Sequence, residues 1–173
     1  MQTEPAVVTT TPHPGHYDID TAHSGVTFAT RHLFGLGRVT GTFAIRRGTA
    51  DIADPIAASS IYAEIETASF RTKGGPRDRS VLSPRFLDPA GHPVMIFRSD
   101  RLEAEGQVLA GTLTVCGTTR PVTLAVTRCE AGRGSFTACA TARIDRTAFG
   151  ITAARGLAAR HLDLTVEVRC IRN

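Results

Sequence analysis

A chain of 173 residues suits one domain, and a domain of that size buries roughly 70% of the surface its unfolded chain exposes, so a core needs neither metal nor disulfide. Hydrophobic residues make up 42% and charged residues 21%, which excludes a disordered chain. There is no apolar run of about 18 residues, which excludes a membrane-spanning helix; no stable membrane insertion is expected. The net charge of +4 is too modest to argue for a nucleic-acid partner.

The first 16 residues, with Pro5, Pro12 and Pro14 and a Thr run at 9–11, read as a flexible tail, and residues 17–173 as the domain. The start has no basic stretch followed by an apolar one, which points to the cytoplasm. Cys116, Cys129, Cys139 and Cys170 are widely spaced, with no CxxC and no Cys–His pairing at zinc spacing. Reduced thiols are expected, with no metal and no cofactor.

From Ser24 onward the dominant signal has a period of two. Val26 and Phe28 share one face of a strand over 24–31, with Thr27 and Arg31 opposite. The same alternation marks strands over 39–46, 61–66, 109–115, 122–127, 136–144 and 162–169, and a further one lies over 94–98. Each has one polar face, as in an antiparallel sheet with one wet side. The expected fold is therefore all-β, an eight-stranded antiparallel barrel, whose interior either fills with side chains or holds one small ligand.

Residues 71–91 break the alternation. They predict a long insert between the third and fourth strands, with a short helix near Asp78–Leu82. Such inserts are often functional. Residues 71–85 hold Arg71, Lys73, Arg77, Arg79 and Arg85 against one acid, Asp78. A phosphate headgroup could dock there, and so could nothing but water. A second irregular stretch runs from Arg146 to Gly156.

Phe28, Phe43, Phe97 and Phe136 share the inward parity of their strands, and His32 shares it with Val26 and Phe28. Ser24, Gly41, Ala63, Gly111, Ala138 and Ala140 are small inward positions, and the chain has no Trp and only two Tyr, which speaks for a cavity, while a packed core stays open on these residues alone. His23 and Ser24 are adjacent, but strand neighbours point to opposite faces, so a structural pair is expected there and no catalytic residue.

The order and spacing of several short motifs resemble the YceI-like family of polyisoprenoid-binding, lipocalin-like proteins. They are Tyr17-x-Ile19-Asp20-x-x-His23-Ser24-x-Val26-x-Phe28-x-x-x-His32, Gly41-x-Phe43, Ser69-Phe70-x-Thr72, Arg77-Asp78, Ser83-x-x-Phe86-x-Asp88, His92-Pro93-x-x-x-Phe97-x-Ser99, Gly111-x-Leu113-Thr114-x-x-Gly117 and Arg146-x-x-Phe149-Gly150. The resemblance implies a lipocalin-like barrel holding an isoprenoid or quinone-like lipid in an apolar tunnel, without catalysis, and is compatible with a homodimer. Its wall would include Phe28, Phe43, Ile65, Phe97, Leu113, Val115, Leu124 and Phe136. Phe86 would shape the mouth, Arg77 would face a polar headgroup, and His32 would make a polar contact inside. Where the family usually has a His and then a Leu after Arg77-Asp78, this chain has Ser80 and Val81; Arg85 replaces a usual acid, and Leu87 a second aromatic. Two other readings of the same barrel are an enzyme for a small apolar substrate with His32 as general base, and a fully packed barrel serving as an interaction module.

Overall fold

The computed structural model describes residues 9–32, 37–154 and 159–173, apart from the side chains of Arg31, His32 and Asp100. Eleven strands form one antiparallel sheet: β1 (Gly15–Ile19), β2 (Gly25–His32), β3 (Gly37–Phe43), β4 (Ile45–Ile52), β5 (Ser60–Glu66), β6 (Arg71–Thr72), β7 (Val94–Glu103), β8 (Val108–Val115), β9 (Thr118–Ala131), β10 (Ser135–Asp145) and β11 (His161–Arg172). A short helix, α1 (Gly75–Val81), lies in the insert. Pro76 stands in its first turn, where a missing N–H costs nothing.

Eight of these strands close a ring in the order β1-β4-β5-β7-β8-β9-β10-β11, with β1 returning to β11. The eight-stranded barrel read from the alternation is thus present. Every strand expected from sequence is there, with β3 and β4 sharing one of them across Ala44. The added elements are β1 and the two-residue β6. β1 opens at Gly15, two residues ahead of the expected domain boundary. Thr10 lies against β9, its N–H donating to the Cys129 carbonyl at 2.8 Å and its Oγ1 accepting from Ala131 N at 2.7 Å. Residues 1–8 of the expected tail lie outside the described residues.

The two ends of the barrel differ. β11 pairs with β1 through Arg172↔Tyr17 and with β2 through Leu164↔Phe28, so its neighbour changes along its length. At the β1 end the ring is complete. At the other end the sheet continues from β2 to β3 and stops at β6. There the insert supplies the wall in place of a strand, through Val81, Phe86 and Leu87 packed on the core. An irregular segment can do this because its backbone groups find local partners: Leu87 N donates to Val81 O at 3.0 Å, and His92 N to Asp88 O at 2.8 Å.

Small inward residues do not by themselves leave space. Gly41 faces Phe28 across β2–β3, and the Phe28 ring lies where a Gly41 side chain would stand, with the Arg71 carbonyl 2.5 Å from that point. Gly111 is covered by the Arg98 backbone. Ala140 sits in a packed cluster with Phe97, Leu102, Leu109 and Leu124. His23 and Ser24 each have a partner other than the other. His23 Nδ1 lies 2.8 Å from Asp20 Oδ2, and Ser24 Oγ accepts from Arg169 N at 2.9 Å.

On the outer face of β4 and β5, Glu64 is buried and accepts from Arg47 at 2.6 Å and from the Tyr62 hydroxyl at 2.5 Å. These bonds, Arg47 foremost, hold its carboxyl down at about 2, against an ordinary 4.5. Between those values the unfolded chain binds the proton that the folded one refuses, so Glu64 stabilises fully above pH 4.5 and loses its effect as pH falls to about 2. Urea unfolding of the wild type and Glu64→Gln is expected to differ most above pH 4.5 and to converge near pH 2; a gap independent of pH would contradict this assignment.

Candidate functional site

The open end of the barrel holds a cavity of about 370 Å³, within the roughly 300–1,000 Å³ usual for small-molecule sites. β2 and β3 give it Phe28, Thr30, Val39 and Phe43, and β7 and β8 give it Met95, Leu113 and Val115. Ile144, Leu162 and Leu164 come from β10 and β11. The insert adds Arg77, Ser80, Val81, Phe86 and Leu87, and the stretch after β10 adds Arg146, Phe149, Ile151, Ala154 and Ala159, while Phe70 stands just before β6. Thr30, Arg77, Ser80 and Arg146 are its polar members. Ser80 is exposed and still lines the cavity, so the cavity meets solvent beside α1.

Three of the rings form one cluster. Phe28 stacks on Phe70 with centroids 5.3 Å apart, and Phe43 lies 5.7 Å from Phe28 and 5.4 Å from Phe70. Offset and edge contacts of this kind suit the charge distribution of aromatic rings. They fix the floor of the cavity in one arrangement.

Two polar clamps set the rim. In the first, Asp78 accepts from Thr72 N at 3.0 Å and from Thr72 Oγ1 at 2.5 Å, tying α1 to β6. These bonds hold the Asp78 carboxyl below its usual range, and they orient the adjacent Arg77, which is half-buried in the cavity wall. In the second, Asp145 accepts from Arg160 at 2.8 and 2.7 Å and from Thr147 N at 2.9 Å. The Arg160 guanidinium, with Thr147, keeps the Asp145 carboxyl well below the ordinary carboxylate range.

Arg146 completes the second clamp. Its Nε donates to Ala159 O at 2.8 Å, and one Nη donates to Ile151 O at 3.0 Å and Ala153 O at 2.8 Å. Its guanidinium carbon lies 5.9 Å from the Phe86 ring centroid. A buried cation held by carbonyls and an aromatic face keeps its hydration replaced. Beneath the insert, the Cys116 thiol donates to the Phe86 and Leu87 carbonyls at 3.4 Å, and burial pushes that thiol up from its ordinary pKa. Among the described residues no three His, Cys, Asp or Glu side chains converge as metal ligands.

Of the residues singled out from sequence, the cavity brings together Phe28, Phe43, Arg77, Phe86, Leu113 and Val115. Four others are buried but stand away from it. Ile65 packs in the main core, Phe136 meets Tyr17 edge-on at 5.0 Å, and Phe97 and Leu124 belong to a second cluster. Their inward parity is as read; their height along the barrel puts them in its filled part. The His32 side chain lies outside the described residues. The sequence reading missed Phe70, Val81, Met95, Arg146, Phe149 and Ile151 as lining. Arg146 and Phe149 were visible only as a motif, and Val81 and Leu87 only as departures from a family pattern. A fully packed barrel differs from what is found, since one end is filled and the other is not.

A closed antiparallel barrel with an apolar cavity under a covering insert defines a lipocalin-like architecture. The YceI-like domain model matches residues 17–170, and the chain belongs to the YceI-like family. It is 32% identical over 166 residues to a UPF0312 protein of Enterobacter sp. (strain 638), covering 90% of this chain and 84% of that one. It is 31% identical over 166 residues to Protein YceI of Escherichia coli O157:H7, covering 90% and 85%. In fold it is similar to BcnA of Burkholderia cenocepacia, with a TM-score of 0.73 at 20% identity, over 87% of this chain and 98% of that one. It is also similar to a polyisoprenoid binding domain from Saccharophagus degradans, with a TM-score of 0.67 at 12% identity, over 93% of this chain and all of that one.

Proposed function

We propose that this barrel binds an isoprenoid-type lipid, a polyprenyl phosphate or a quinone, with part of its tail in the cavity, and that it carries or sequesters the lipid without transforming it. The observation that carries this reading is the cavity itself: about 370 Å³, walled by aliphatic residues and by Phe28, Phe43, Phe70 and Phe86, with Arg77 where it meets solvent. Burying roughly 300 Å² of apolar tail at about 25 cal/mol per Å² gives a gross gain of about 7.5 kcal/mol. Ordering the tail and the rim opposes part of it. Such binding needs shape and apolar walls rather than reactive groups. The family, and the structural neighbour described as polyisoprenoid-binding, support the same class of ligand.

Arg77 separates the two candidate headgroups. A charge-assisted hydrogen bond to phosphate is worth about 1.5–3 kcal/mol, so Arg77→Ser is expected to weaken polyprenyl phosphate binding roughly 10- to 100-fold. Binding of a quinone with the same tail is expected to stay nearly unchanged. Fluorescence competition with both lipids reads the two affinities. Equal loss for both would remove the headgroup role, and failure of the wild type to bind either would overturn the lipid reading.

A further inference from the structure

The outer face of β11, β2, β3 and β6 forms a groove of about 540 Å³ that shares only Phe28 with the cavity. The pairing sets Thr165, Thr27, Thr42 and Arg71 side by side across the four strands. Arg38 and Lys73 flank that row, and Asp163 is the acid in the groove. Arg38, Arg71 and Lys73 are all exposed. The same segment that borders the groove continues into α1, where Arg77 reaches the cavity on its other side.

The charge distribution is one-sided. The groove and the adjoining insert up to residue 85 hold six cations, Arg38, Arg71, Lys73, Arg77, Arg79 and Arg85, against Asp78 and Asp163. That takes six of the 20 cations and two of the 16 acids, leaving 14 of each elsewhere. The formal excess of +4 thus equals that of the groove and insert together, of which the groove itself carries +2, from Arg38, Arg71 and Lys73 against Asp163. Asp78 is engaged by Thr72, and the nearby charges of Arg77 and Arg71 also favour its ionised form, so it offsets part of their charge.

We propose that this face docks on an anionic phospholipid surface and holds the opening beside α1 toward the bilayer, a role that rests on the lipid-carrier reading of the cavity. The occupant follows from charge and position. Clustered cations near a membrane are drawn to its anionic headgroups. Threonine hydroxyls and a broad, shallow groove can meet many headgroups without demanding one. A carrier also has to meet the membrane where its insoluble lipid resides, and here the cationic face and the opening share one segment of chain.

Flotation with vesicles tests docking without any isoprenoid present. The wild type is expected to bind phosphatidylglycerol–phosphatidylcholine vesicles, to release them at high salt, and to ignore pure phosphatidylcholine vesicles. The triple variant Arg38→Ser, Arg71→Ser, Lys73→Ser is expected to bind the anionic vesicles roughly 100-fold more weakly, at about five-fold per cation. A control with the same change of charge, Arg120→Ser, Arg128→Ser, Arg133→Ser on exposed positions of β9 and the following turn, is expected to bind as the wild type does. Equal losses in the two triples, or equal binding to both vesicle types, would overturn the proposal. So would a wild type that ignores vesicles and is retained on heparin. Loading with a soluble short-chain prenyl phosphate in vesicle-free buffer is read separately: the groove variant is expected to keep it, and its loss in the wild type would count against the cavity rather than the face.

Discussion

Replacing Val81 by tryptophan is expected to abolish isoprenoid retention, with affinity falling by about 100-fold or more while the barrel stays folded. Val81 ends α1 and points into the cavity wall beside Phe86 and Leu87. Val81 is part-buried and lines the cavity, so an indole there takes its space from the cavity or displaces the insert. Overfilling a packed site costs about 1–3 kcal/mol, and an insert that is a covering segment rather than a ladder strand can move to lower that cost. Circular dichroism should therefore report an intact sheet, and lipid-binding fluorescence should report an empty protein. A Val81→Trp protein that loads as well as the wild type would place the ligand elsewhere.

Phe28→Ala is expected to be the most costly single truncation of the cavity wall. Phe28 is 4% exposed, stacks on Phe70, touches Phe43 and covers Gly41. Removing a buried phenyl costs about 3–5 kcal/mol when the surroundings cannot collapse, and here the opposite residue is a glycine, which offers no side chain to fill the gap. At about 2–4 °C per kcal/mol for a domain of this size, the midpoint of thermal unfolding is expected to fall by roughly 6–20 °C. A shift of only a degree or two would mean that the aromatic cluster rearranges freely, and would remove it as a fixed floor for the site.

The barrel was legible because each strand carries its own alternation. Val26 and Phe28 against Thr27, or Leu162 and Leu164 against Asp163, mark an inner and an outer face with no knowledge of neighbours. β1 was less legible: Gly15–Ile19 is five residues beside prolines, and β6 is too short for any period. The site was half legible for a related reason. Parity tells which face a residue takes but not how far along the axis it stands. Phe28 and Phe97 read alike, yet one lines the cavity and the other packs with Leu109 and Leu124. Glycine misled in a similar way, because the Phe28 ring occupies the space Gly41 leaves. The rim residues Val81, Arg146 and Ile151 sit in segments without periodicity, where tertiary hydrogen bonds rather than local pattern decide direction.

That rim also explains how one fold can be both stable and accessible. The β1 end is a complete ring with its interior filled. The other end exchanges a strand for an insert held by Asp78 on Thr72, and by Asp145 and Arg146 on the segment that follows β10. Openings in a protein are drawn from its less cooperative parts, and a clamp made of a few polar contacts gives way more readily than a ladder of strands.

The most direct measurement is organic extraction of the purified protein with mass spectrometry of the extract, beside native mass spectrometry of the intact complex. A cavity that binds isoprenoids predicts a stoichiometric isoprenoid in both, or stoichiometric uptake of added polyprenyl phosphate or quinone by a protein that was purified empty. A protein that is empty as purified and also refuses both added lipids would contradict it.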